Sequence, residues 1–219
     1  MSIRRRYLDE SIREFEKKFI RGLVLDIGGK KTNQRGRWLP DRNSKTSWEY
    51  LNTDPETEPD YLQSAEKTLL ESNTYDSVLM CEVLEYLEKP TTALREAARL
   101  LKPGGTAFIT MPFLNQVHGD TGDRQRWTSF KLRTTLEGSG FEVLSINPMG
   151  SLFSVIFDLL ASSLARWEGL TSRKKLARLT IRVHNLSSPL FLFLDTKLGF
   201  LSGFITTGWC ATVRVLKDE

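Results

Sequence analysis

His118 is one of only two histidines in a chain of 219 residues, and it opens the stretch HGDTGDRQRWT. That stretch gathers Asp120, Asp123, Arg124, Arg126 and Trp127 within ten residues. Imidazole titrates near neutrality, so His118 is a candidate catalytic residue that could take a proton from an acceptor hydroxyl. A loop histidine bonded to Asp120 or Asp123 is the plainer reading. Arg126 could clamp an anionic group on a ligand or pair with Asp123, since its planar fork suits either. Trp127 could stack on a sugar face or pack into the core. Further back, VLDIGGKK (24–31) sets Asp26 inside an apolar run and follows it with Gly28 and Gly29. Glycine lacks Cβ and tolerates positive φ, so such a turn lets a ligand approach the backbone closely. It also serves as a bland strand-to-helix turn. Asp54 closes a second short apolar run, and Cys81 and Glu82 close a third.

These residues need elements to hold them. Apolar residues at Leu8, Ile12, Phe15 and Phe19 predict a helix over 4–19 with one buried face. Leu23–Ile27, Trp48–Asn52, Val78–Cys81, TAFITMP, FEVLSIN and WCATVRVL read as strands. Residues 35–45 read as a loop, and Pro55 and Pro59 exclude a helix beside Asp54. Pro90 can start a helix that buries Leu94, Ala97, Ala98 and Leu101, and the LKPGG stretch would stop it at Pro103 and Gly104. A further helix runs from Ser129 to Glu137 and ends at Gly138–Gly140. Strands alternating with helices predict an open α/β sheet, whose ligands sit outside the carboxyl ends of the strands. Gly28, Asp54 and Cys81 all fall on that edge.

Composition sets outer bounds. With 26% charged and 40% hydrophobic residues, the chain suits a soluble globular protein with a sizeable core. Two cysteines without CxxC spacing predict neither a disulfide framework nor a metal site. The charged beginning lacks the apolar core of a signal peptide, so a cytoplasmic location is expected. A net charge of +4 does not point to nucleic acid.

With the elements placed, the chain resembles the class I S-adenosylmethionine-dependent methyltransferases, in particular the small type 11 group. The resemblance lies in VLDIGG, YLNTD, YDSVLMCEVLEYL and LREAARLLKPGGTAFITMPF, and covers roughly 20–147 with the final strand. It implies an S-adenosylmethionine cofactor. Asp26 would then organise the loop and the methionine ammonium, and Gly28 and Gly29 would let the backbone pass close to the cofactor. Asp54 would accept from the ribose hydroxyls. Ser64, standing where the family often has aspartate, and Ala65 would lie beside the adenine, with Cys81 and Glu82 beside the sulfonium. Tyr86 stands where the family often has histidine. Residues 111–132 resemble a segment of relatives associated with polysaccharide and glycan pathways, which implies an acceptor loop with Asp123, Arg126 and Trp127 as substrate-binding residues.

Residues 148–207 lie between the last two predicted strands, where simple relatives make a short connection. They carry seven basic and three acidic residues, and so hold the whole net charge. No apolar run approaches the roughly 20 residues needed to span a bilayer. A helical cap or homodimer face is expected here, with peripheral contact at an anionic inner membrane surface as the rival. His184, in TIRVHNLSS, reads as structural.

The sequence therefore predicts one domain over 1–219, with a Rossmann-like, mostly parallel sheet, an antiparallel last strand and a helical insertion at 148–207. The implied activity is O-methylation of a small-molecule or glycan acceptor, lipid-linked acceptors included. The alternative is a catalytically inactive cofactor-binding or scaffold protein on the same fold. A nicotinamide-dependent oxidoreductase is disfavoured because DIGGKKT does not supply GxGxxG spacing.

Overall fold

The computed structural model describes residues 2–31, 36–41, 45–118, 122–199 and 203–216. Asp120, named above beside His118, lies outside them, as do residues 35 and 42–44 of the 35–45 loop. Among the described residues, seven strands form a single sheet: β1 (Gly22–Ile27), β2 (Thr46–Asn52), β3 (Tyr61–Leu62), β4 (Tyr75–Met80), β5 (Leu101–Pro112), β6 (Phe141–Pro148) and β7 (Gly208–Val215). Their order is β3-β2-β1-β4-β5-β7-β6. The first five run parallel, and β7 lies antiparallel to both β5 and β6. The expected mixed sheet with an antiparallel last strand is what forms.

The central strands are rich in apolar residues because both faces are covered. Alternate residues divide between the two layers. Val24, Leu79 and Phe108 pack with Leu8, Ile12 and Phe15 of α1 (Ile3–Phe19). On the opposite face, Leu25, Val78, Met80, Ala107 and Ile109 share a core with α2 (Pro90–Leu100) and α3 (Ser129–Glu137). The predicted helix over 129–137 forms with those bounds.

Two local expectations need correction. LKPGG does not end the helix at Pro103 and Gly104; α2 stops at Leu100 and β5 begins at Leu101. The register against β4 jumps from Tyr75–Leu101 to Ser77–Thr106, so the proline and glycines are absorbed as an irregularity inside the strand. The second lies beside Asp54, where Pro55 does not exclude a helix but starts a single 3-10 turn, Pro55–Thr57, with proline in its first turn, where no N–H partner is needed.

Between β6 and β7 the chain forms α4 (Leu152–Leu170), α5 (Lys174–Leu186) and α6 (Ser188–Lys197). Two buried carboxylates fasten this layer to α1. Asp158 accepts from the backbone N–H groups of Ile3 and Arg4 at 2.8 and 2.9 Å. The first turn of α1 contains three arginines and no acid, so its positive dipole end needs an anion, and α4 supplies it. Asp195 of α6 accepts from the N–H groups of Ser151 and Ser154 at 3.0 and 3.1 Å, from both serine hydroxyls, and from Tyr7 Oη at 3.2 Å. Asp195 stands inside the apolar run PLFLFLDTKLGF and anchors it.

Candidate active site

The strand order reverses between β1 and β4, which run onward to Gly28 and Cys81 at their carboxyl ends. A cavity of about 820 Å³ opens there. This is the crevice in which open α/β sheets bind ligands. Gly28 has φ +79°, and a Cβ on it would overlap Val83. A Cβ on Gly29 would overlap the Asp26 carboxyl. The two glycines therefore allow the turn to fold back over the aspartate, as any other residue would not. Gly28 N–H donates to Leu51 O at 2.7 Å, and Asn52 Nδ2 donates to Gly29 O at 2.9 Å, tying the turn to β2.

Asp26 faces into this cavity, and burial pushes its carboxyl up to about 7, against a smaller downward pull from Arg5. Asp54 follows β2 and accepts from Glu56 N–H at 3.0 Å through Oδ1, which starts the short turn Pro55–Thr57. Ser64 and Ala65 line the same wall, and Ser64 Oγ accepts from Glu66 N–H at 3.2 Å. Cys81 is a lining thiol driven well above its ordinary range by burial and then by the Asp26 and Glu82 charges, so it stays protonated. Glu82 holds a left-handed backbone, φ +59°, uncommon for a side chain of its size. Thr110 Oγ1 fixes it, accepting from Glu82 N–H at 2.9 Å and donating to Glu82 Oε1 at 2.7 Å.

His118 reaches the same cavity from the loop after β5. Its Nδ1 lies 3.0 Å from Tyr86 Oη and 3.5 Å from Asp123 Oδ2, and its backbone N–H donates to Asp123 Oδ2 at 2.7 Å. Asn115 Nδ2 approaches Nε2 at 3.5 Å. With oxygens on its Nδ1 side, the ring is set up to carry its proton there and to leave Nε2 as the acceptor. Arg126 grips both oxygens of Asp123 and bonds the carbonyls of Gln116 and Gln125 at 2.8 Å. That grip holds the Asp123 carboxyl down at about 2.

Eight expected cofactor residues and His118 thus meet in one cavity, while the three expected substrate-binding residues stand outside its lining. Asp123 and Arg126 serve each other and the His118 loop, so they position rather than clamp. Trp127 is corrected outright. It is 7% exposed within the main core, with Nε1 bonded to Gln125 Oε1 at 3.0 Å, and no face is left for a sugar. His184 bonds Phe157 O at 3.1 Å and stacks on the Phe157 ring, consistent with its structural reading.

Two lining residues were missed by sequence reading. Arg4 is buried and ion-pairs with Glu82, although its Nε lacks a hydrogen-bond partner. Its signal was its place one turn before Leu8 on the apolar stripe of α1. Glu85 is fully buried, with neither carboxyl oxygen hydrogen-bonded, and burial followed by the Glu82 charge pushes it up to about 8. An acid flanked by Leu84 and Tyr86 in a short turn was the only hint. A second cavity of about 200 Å³ adjoins the first across Ser2, Arg4 and His118, and is closed by Phe157, Ala161 and Asn185 from α4 and α5.

Residues 41–109 match the family model described as a methyltransferase domain. The fold is that of the class I methyltransferases. A methyltransferase from Archaeoglobus fulgidus, described as SAM dependent, superposes with TM-score 0.56 at 14% identity, covering 96% of this chain and 94% of that one. The cyclase SpnF gives TM-score 0.56 at 18% identity, covering 96% and 80%. Haemonchus contortus phosphoethanolamine N-methyltransferase 2, solved with S-adenosyl-L-methionine, gives 0.56 at 14%, covering 96% of this chain and 52% of that one. No curated protein matches the sequence. The family match spans β2 and runs into β5 as far as Ile109, and so includes Asp54, Ser64, Ala65, Cys81 and Glu82. Among the described residues no group of acids, cysteines and histidines could hold a metal ion.

Proposed function

We propose that this protein transfers a methyl group from S-adenosylmethionine to a hydroxyl of a small polar acceptor, with a sugar or glycan as the favoured class. The observation that carries the reading is one cavity shared by the glycine turn, Asp54 and a carboxylate-supported histidine. The residues fit the cofactor. Gly28 and Gly29 leave a cradle that any Cβ would fill, Asp26 offers a carboxyl to a ligand cation, and Asp54 offers one to ribose hydroxyls. Ser64 and Ala65 form the wall for the adenine. Bound there, S-adenosylmethionine supplies an electrophilic methyl group open to direct displacement.

The chain's own contribution is alignment and proton removal. His118 Nε2 receives the hydroxyl proton as the acceptor oxygen becomes nucleophilic. Asp123 stays ionised under the grip of Arg126 and stabilises the imidazolium that results. Protonated Glu85 adds no negative charge beside Glu82 at neutral pH. The second cavity supports the acceptor class. Asn115, Gln116, Ser162 and Asn185 present amides and a hydroxyl, which both donate and accept as sugar hydroxyls do, and Gln116 Oε1 is buried without a partner.

Calorimetric titration with S-adenosylmethionine and S-adenosylhomocysteine tests the first half. Binding in about the micromolar range, weakened about tenfold or more by Asp54→Ala, is expected. A folded protein that binds neither ligand overturns the reading. Transfer of labelled methyl to sugar acceptors tests the second half. His118→Gln is expected to cut turnover about 100-fold while leaving cofactor affinity unchanged. Cofactor binding without transfer to any acceptor would instead favour the inactive, scaffold role.

A further inference from the structure

Helix α5 lies on the outside of the molecule. Along its 13 residues only Ala177 is buried. Leu176, Leu179, Val183 and Leu186 follow one another at three- or four-residue spacing, so they form a single stripe. That stripe faces outward, with exposures of 47%, 57%, 60% and 79%. The inward side is taken by Ala177 and by His184 stacked on Phe157. Leu170, 78% exposed, and Trp167 extend the apolar surface from the end of α4, which a three-residue turn joins to α5.

Cations border the stripe. Arg178 is spoken for by Glu168 at 2.9 Å, and Lys174 bonds the carbonyls at the end of α4. Arg173, Lys175 and Arg182 have no ion pair among the described residues. A cap whose leucines served only the core would turn this stripe inward, and it does not.

We propose that the α5 face docks on the surface of an anionic lipid bilayer, with the leucine stripe entering the interface and the flanking cations meeting headgroups. Charge selects this occupant. A second copy would bring two like-charged borders together, whereas an anionic surface complements them. No helix among the described residues is long and apolar enough to cross a membrane, so the face lies on the bilayer. This inference rests on exposure and charge and stands apart from the proposed activity.

The test is co-sedimentation of the full chain with phosphatidylcholine vesicles and with vesicles in which roughly a third of the lipid is phosphatidylglycerol. Binding to the anionic vesicles only, released by high salt, is expected. The pair L179E and L186E, both at exposed positions, is expected to lower the bound fraction about tenfold with the circular dichroism spectrum unchanged. K175E with R182E is expected to do the same through charge alone. No wild-type binding to anionic vesicles, equal binding to neutral ones, or binding that both pairs leave intact overturns the proposal. So does a concentration-dependent dimer in light scattering that L179E and L186E dissociate, since it gives the face to a second copy.

Discussion

At the cavity edge of the sheet, position is set by backbone. Gly28, Asp54, Cys81 and Glu82 follow the ends of neighbouring parallel strands, and the register of β1 against β2 and β4 brings them level. In the layer formed by α4–α6, position is set by two buried side chains. Asp158 and Asp195 collect backbone N–H groups and hydroxyls from α1 and α4, while the outer leucines of α5 touch no core. Sheet register is shared by every strand, so chemistry placed on strand ends leaves a motif at readable intervals. A carboxylate that caps a distant helix leaves none, because its partners lie more than 40 positions away in the chain.

The largest effect that would break this contrast is in the helical layer. Asp195→Ala strands the N–H groups of Ser151 and Ser154 and frees Tyr7. A loss of about 3 kcal/mol is expected in urea unfolding, since buried donors left unpaired cost their full desolvation. If the loss is instead negligible, the carboxylate is not what fastens the layer. At the sheet edge, Gly29→Val should displace the turn or the Asp26 side chain and so disturb the ligand site. Overlap with the Asp26 carboxyl is expected to weaken S-adenosylmethionine about 100-fold by calorimetry. Unaltered affinity would show that the cradle is not the cofactor's.

The smallest effect, taken per pH unit, is a pH dependence centred on the cavity. Asp26 and Glu85 are raised to about 7 and about 8, from ordinary values near 3.8 and 4.5. The folded chain keeps these protons where the unfolded chain has lost them, so stability falls as pH rises through that window and levels off above it. The slope is expected to be on the order of 1 kcal/mol per pH unit at most for each group. Asp158 is shifted in the same sense by burial, whereas Asp123 and Glu96, held down at about 2, act only in acid. Thermal unfolding between pH 5 and 9 should therefore flatten in part when Asp26 is replaced by Asn. An unchanged profile in that variant would place the titration elsewhere.

Much of the candidate site was legible because glycine, acid and strand end coincide in VLDIGG and YLNTD, and local sterics alone demand them. The acceptor loop was half legible. His118 was visible by type, but whether Asp123 and Arg126 face a ligand or each other depends on how the loop folds back, and it folds onto itself. Trp127 could not be read, since a ring in a loop sequence carries no sign of the strand it covers. In this fold its carbonyl accepts from Trp209 of β7, 82 positions away. Arg4 and Glu85 were illegible as site residues for a related reason. A charged side chain is expected in water, and only the packing of α1 over the strand ends buries these two beside Glu82.

The sequence by itself determined the alternation of strands and helices, the glycine turn and the acids at the strand ends, because periodicity and steric need act over a few residues. Only the tertiary structure decided which face of α5 stays outside and which carboxylates become anchors. Those outcomes depend on desolvation and on partners brought together from far apart in the chain, and no short stretch of residues records them.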